Sequence, residues 1–116
     1  MQMSKKTVNA TLEKQLSQTV YQLICDIRSP KEAKLILETI LSPMELSAVI
    51  KRVSIVYWLS KNRKYDNIKN NLMVSSASIA DVQKQIKSAG WQEVLRHINA
   101  EEWAGVWEKK IKSVFR

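Results

Sequence analysis

Between positions 61 and 84 the chain sets five cations, Lys61, Arg63, Lys64, Lys69 and Lys84, around a run of short side chains, Ser76, Ala77, Ser78 and Ala80. Cations spaced along such a segment neutralise backbone phosphates, and small hydroxyls and methyls at the start of a helix fit against base edges in a major groove. No competing chemistry is as well supplied. The one histidine, His97, lies between Arg96 and Ile98 at the end of an apolar stripe and reads as a surface or helix-end residue. The single Cys25 excludes an intrachain disulfide, and with one histidine a Cys/His zinc site cannot be assembled within one chain. Its setting, Leu23-Ile24-Cys25, is that of a small buried hydrophobe. The carboxylates are scattered, and there is neither a glycine-rich phosphate loop nor a nucleophile elbow. The residues argue against an enzyme and call for no metal or cofactor.

Net charge supports the same partner. The 116 residues include 19 Lys and Arg against 11 Asp and Glu, a formal charge of +8. Residues 43–88 hold eight of those cations and three of the acids, so +5 of the excess lies in this stretch. An anionic membrane surface would also attract such a chain, but the cations do not form one face opposite a lipid-facing stripe. No run approaches the ~20 apolar residues of a spanning helix. The start, Met-Gln-Met-Ser-Lys-Lys, is not followed by an apolar h-region, so a cytoplasmic protein is expected.

The elements that must position these residues are helices. Only 2 Gly and 2 Pro occur, too few for sheets and hairpins, and 45% of the residues are apolar, enough for one folded domain spanning residues 1–116. Leu12, Leu16, Val20, Leu23, Ile24 and Ile27 recur at helical spacing in a first helix. Ser29-Pro30 with Glu32, then Ser42-Pro43 with Glu45, are two helix starts of the same kind, a capping residue, proline and a capping-box acid. The second helix presents Ala33, Ile36, Leu37, Ile40 and Leu41; the third presents Leu46, Val49, Ile50, Val53 and Val56. The five consecutive apolar residues Ile55–Leu59 make the end of the third helix hydrophobic all round, which asks for cover on every side. An interlocked homodimer would supply it; a central helix in a monomeric bundle is the alternative.

After the polar connection Asn62-Arg63-Lys64, a short helix is expected from Tyr65 to Leu72, with Ile68 and Leu72 inward. Met73-Val74-Ser75 breaks it, and Ser75 caps a helix from Ser76 to about Lys87, with Ile79, Val82 and Ile86 inward. Gly90 is read as a stop signal. Trp91, Val94, Leu95 and Ile98 form a further stripe, Asn99 with Glu102 another cap, and Trp103, Val106, Trp107, Ile111 and Val114 a last stripe. Residues 1–61 are thus expected to form dimerisation and core helices, 62–88 a helix-turn-helix, and 89–116 C-terminal helices. The second short helix is the reader, with Ser76, Ala77, Ser78 and Ala80 toward bases; Lys61, Arg63, Lys64, Lys69 and Lys84 face phosphates.

Leu41-Ser42-Pro43-x-Glu45, Arg52-Val53-x-Ile55-Val56-x-x-Leu59, Ile68-Lys69-Asn70-x-Leu72, Ala77-Ser78-Ile79 and Ile86-Lys87 together resemble the Trp repressor-like regulators. The match covers Leu41 to Lys87 and needs a single-residue gap between Leu59 and Tyr65. The resemblance implies six or seven helices in an all-α, intertwined homodimer that binds operator DNA through its helix-turn-helix. In tryptophan-responsive members two arginines hold the corepressor. Arg52 matches the first and is the candidate effector-pocket residue, but the second falls on Asp81, followed by Val82. An anionic carboxylate beside Asp81 would be repelled. Met73 stands where the family's turn often carries glycine.

The reading is a homodimeric, sequence-specific regulator of transcription, a repressor without tryptophan control, whose partner is double-stranded DNA and whose small-molecule effector is unknown. The alternative, motivated by Asp81 and by Trp91, Trp103 and Trp107, is a helical interaction or scaffold module that has lost DNA binding.

Overall fold

The computed structural model describes residues 9–114, with side chains in the last helix as far as residue 105 and at Lys109. Six helices and no strand are present among the described residues, as the scarcity of glycine and proline leads one to expect. By internal packing the chain resolves into two units, Met1–Ser42 and Pro43–Arg116.

The first unit holds α1, Ala10–Asp26, and α2, Pro30–Ile40. Asn9 caps α1 by accepting the Leu12 amide at 3.0 Å. Ser29 caps α2 through the Glu32 amide at 3.1 Å, with Pro30 in the first turn where its missing N–H is no loss. Glu32 reaches back to the Arg28 amide, so the capping box closes one residue earlier than its usual form. Neither helix buries a residue. The expected stripe exists as an exposed apolar line through Leu12, Leu16, Val20 and Ile24, each about half exposed. Cys25 corrects the sequence reading: it is exposed, on a helix that buries none of its residues, so its apolar neighbours supply no cover.

The second unit holds α3, Pro43–Ser60, α4, Tyr65–Leu72, α5, Ser76–Gln85, and α6, Ala89–Val114. Its centre is Ile55, Ile68 and Ile79, one residue from each of α3, α4 and α5, all at most 2% exposed. Trp58, Leu59, Leu72, Val74 and Val82 pack around them. From α6, Leu95 is buried and Trp91, Val94 and Ile98 are partly buried, matching the expected stripe. The all-round apolar end of α3 therefore obtains its cover from the chain's own α4, α5 and α6. The open apolar surface of α3 lies instead in its first half, at Met44, Val49 and Ile50, which are 84%, 39% and 55% exposed.

Three boundaries are sharper than the sequence allowed. Helix α5 ends at Gln85, with Ile86 as its cap, rather than near Lys87. Gly90 is not a stop: it is the second residue of α6, whose first turn is held by the Ser88 hydroxyl on the Trp91 amide and the Ser88 carbonyl on the Gln92 amide. A serine cap carries more information than a glycine here, because its side chain satisfies an orphan amide. Asn99, read as a cap, lies inside α6, which runs unbroken for 26 residues. Of the last stripe, Trp103 is described and 65% exposed, while the side chains of Val106, Trp107, Ile111 and Val114 lie outside the described residues.

Candidate nucleic-acid interface

The two short helices meet through three residues, Met73, Val74 and Ser75. Met73 takes the left-handed conformation, φ 54° and ψ 52°, which turns the chain sharply at the end of α4. The amides of Met73 and Val74 both donate to the Lys69 carbonyl, the paired closure that ends many helices at a left-handed residue. Val74 then drops against the isoleucine core, and Ser75 opens α5 by accepting the Ser78 amide at 3.0 Å. Local capping and a shared core thus fix the angle between α4 and α5. Lys51 adds a tie from α3, its ammonium 3.5 Å from the Met73 carbonyl.

The start of α5 presents the expected short residues unequally. Ser76 and Ala77 are exposed, and Ser78 is exposed but its hydroxyl lies 2.9 Å from that of Ser75. Ala80 is partly buried. Ser76 and Ala77 are consequently the freest to approach a base edge, and the Ser75–Ser78 pair acts first as a cap.

The cations also divide. Lys64, Lys69 and Lys84 are exposed, at the N-cap of α4, the last turn of α4 and the last turn of α5. Lys61 is drawn to α6, where its ammonium pairs with the Glu102 carboxylate at 3.2 Å and lies 5.6 Å from the Tyr57 ring. Arg63 lies over Trp58, with its guanidinium carbon 4.0 Å from the ring centroid, and donates from Nη1 to the Asn67 side-chain oxygen at 3.1 Å. From the sequence Glu102 reads only as a capping partner of Asn99 and Trp58 only as part of the apolar run Ile55–Leu59, and Asn67 carries no reading. For Asn67 the signal was present, four residues after Arg63 on a helix start; for Glu102 it was not, because the pair spans 41 positions.

Arg52 lines a cavity of about 440 Å³ between α3, the turn and α5, together with Lys51, Ile55, Val74, Asp81 and Val82. A second cavity, of about 420 Å³, shares Arg52, Asp81 and Val82 and is bounded by Gln85 and Trp91. The cation and the acid therefore line one site, as their matched positions imply. On the outer face of α6, Arg96 holds the Glu93 carboxyl below its usual range through a hydrogen bond and their opposite charges. No group of His, Cys, Asp or Glu among the described residues could hold a metal ion. No helix is long and apolar enough to cross a membrane among those residues.

Comparison with known proteins agrees with this geometry. No curated protein and no solved structure is significantly similar to the chain. The family model described as Trp repressor protein matches residues 14–99, which take in most of α1, all of α2 to α5 and the start of α6. With its all-α fold and its helix-turn-helix, the chain belongs to the Trp repressor protein family of DNA-binding regulators.

Proposed function

We propose that the protein is a sequence-specific repressor of transcription that binds its operator as a homodimer, without tryptophan control. The observation that carries this reading is the pair α4–α5, set at a fixed angle by the Met73 turn, with exposed Ser76 and Ala77 at the head of the second helix and exposed Lys64, Lys69 and Lys84 around it. A reading helix needs this combination: short side chains to enter the groove and cations to hold the flanking phosphates. Binding by two copies is supported by the exposed apolar line of α1 and by Met44, Val49 and Ile50 on α3, which one chain leaves in water. Repression follows from occupying the operator in competition with the transcription machinery.

The absence of tryptophan control rests on Asp81. It lines the same cavity as Arg52, so a ligand carboxylate drawn to the guanidinium meets an anion across the site. Selection of bound sites from random duplexes tests the whole reading. The expected product is a palindrome whose half-sites lie about one helical turn apart, bound equally with and without added tryptophan. Enrichment of no site, with capture of a protein partner by the same chain, would replace it with the scaffold reading.

A further inference from the structure

We propose that Trp58 and Asn67 are positioning residues that hold the Arg63 guanidinium as a preformed clamp for one phosphodiester of the DNA backbone; this rests on the DNA-binding reading above. Three contacts converge on this one side chain and its backbone. The Arg63 amide donates to the Trp58 carbonyl at 3.1 Å, across a turn in which Asn62 takes the left-handed conformation, φ 60°. The guanidinium then lies over the Trp58 ring at 4.0 Å, and Nη1 is fixed by the Asn67 oxygen at 3.1 Å. Asparagine is among the residues that reach the left-handed region most readily, so the turn that carries Arg63 back over its own helix end suits the sequence.

The consequence lies in what remains unsatisfied. A guanidinium is planar, with its N–H donors in one fork. Stacking satisfies one of its faces and Asn67 takes one donor, while the remaining donors have no hydrogen-bond partner among the described residues, and the residue is exposed. A free arginine must lose rotamer freedom to grip an anion, and this one has already lost it. The nearby Lys61 is the contrast, since Glu102 neutralises it within the chain. A doubly accepting oxyanion, carboxylate or phosphate, is the chemistry that a held fork matches. On a chain whose cations gather around the helix-turn-helix, that oxyanion is a backbone phosphate, and the site contributes register and affinity without reading a base.

Titration of the full chain with a mixed-sequence DNA duplex at several salt concentrations tests the clamp, because binding to such DNA depends on phosphate contacts alone. Arg63→Ala is expected to lower the salt slope by about 0.9, the share of one phosphate. Asn67→Ala and Trp58→Leu are each expected to weaken binding roughly two- to fivefold, with the slope kept and with no further effect when Arg63 is already alanine. In the free protein, the Arg63 side-chain proton resonances are expected upfield of their ordinary positions under the Trp58 ring, returning in Trp58→Leu. Trp58 also packs on the core, so exposed Asn67 is the decisive arm if Trp58→Leu fails to fold. Equal penalties with and without Arg63, no penalty for Asn67→Ala, or unshifted Arg63 resonances would overturn the clamp while salt-dependent DNA binding stands. A wild-type chain that binds no duplex at any salt would overturn both.

Discussion

Replacing Met73 by glycine is expected to stabilise the protein. Met73 is held at φ 54° and ψ 52°, where the Cβ of an L-residue crowds the following carbonyl at a cost of about 1–2 kcal/mol. Glycine removes that strain but brings extra freedom to the unfolded chain, which costs about 0.5–1 kcal/mol. Little packing is lost, because the methionine is 78% exposed, and the two turn hydrogen bonds, from its amide and from the Val74 amide, use backbone atoms that glycine keeps. The difference is a gain of about 0.5–1 kcal/mol, or a rise in Tm of roughly 2–5 °C. Urea and thermal denaturation followed by circular dichroism read it directly. Met73→Val, which puts a β-branched residue into the same backbone, is expected to fall below wild type. Asn62→Gly should gain less than Met73→Gly, since asparagine already tolerates φ 60°. A Met73→Gly protein that melts at or below the wild-type temperature would refute the assignment of strain to this turn.

Five further substitutions have expected outcomes. Glu102→Gln frees Lys61 from its ion pair and should tighten DNA binding about two- to fivefold at low salt, with the gain fading as salt is raised, in an anisotropy titration. Lys69→Ala should weaken binding equally on specific and mixed-sequence duplexes and reduce the salt slope by about 0.9, whereas Ala77→Glu should abolish selection of a site. Leu16→Glu, on the exposed line of α1, should convert the proposed dimer to monomer in light scattering while the helix content of circular dichroism is kept. Ile68→Ala, at a fully buried position shared by three helices, should cost about 2–5 kcal/mol and remove DNA binding with it.

Much of this fold was legible because local chemistry decides it. Ser29-Pro30, Pro43 and Ser75 mark helix starts whose capping groups lie within a few residues of one another, and Ile68, Ile79 and Leu95 were identified as inward by periodicity alone. Sequence and structure part where a local signal competes with its surroundings. Gly90 resembles a stop only until Ser88 is seen to hold the amides that follow it, and Asn99 resembles a cap although helix continues on both sides. Cys25 looks buried from its apolar neighbours, but these are exposed themselves, Leu23 and Ile24 being 38% and 47% accessible. At the interface, the sequence located the cations but could not sort them. Pairing of Lys61 with Glu102 and stacking of Arg63 on Trp58 depend on where α6 passes and on how the chain turns at Asn62.

The unbroken course of α6 makes it a spindle with two working faces. Trp91, Val94, Leu95 and Ile98 run along one line of the cylinder toward the core, while Trp103 falls about a third of a turn away and stands 65% exposed. What the sequence offered as a break at Asn99 is therefore a change of azimuth within one rigid rod. Because each residue advances the helix by about 100°, a single insertion between Ile98 and Trp103 would swing the outer face round while leaving the inner one seated. Trp103 and Trp91 thus ride on one helix, and Trp91 forms part of the wall of the cavity containing Arg52 and Asp81.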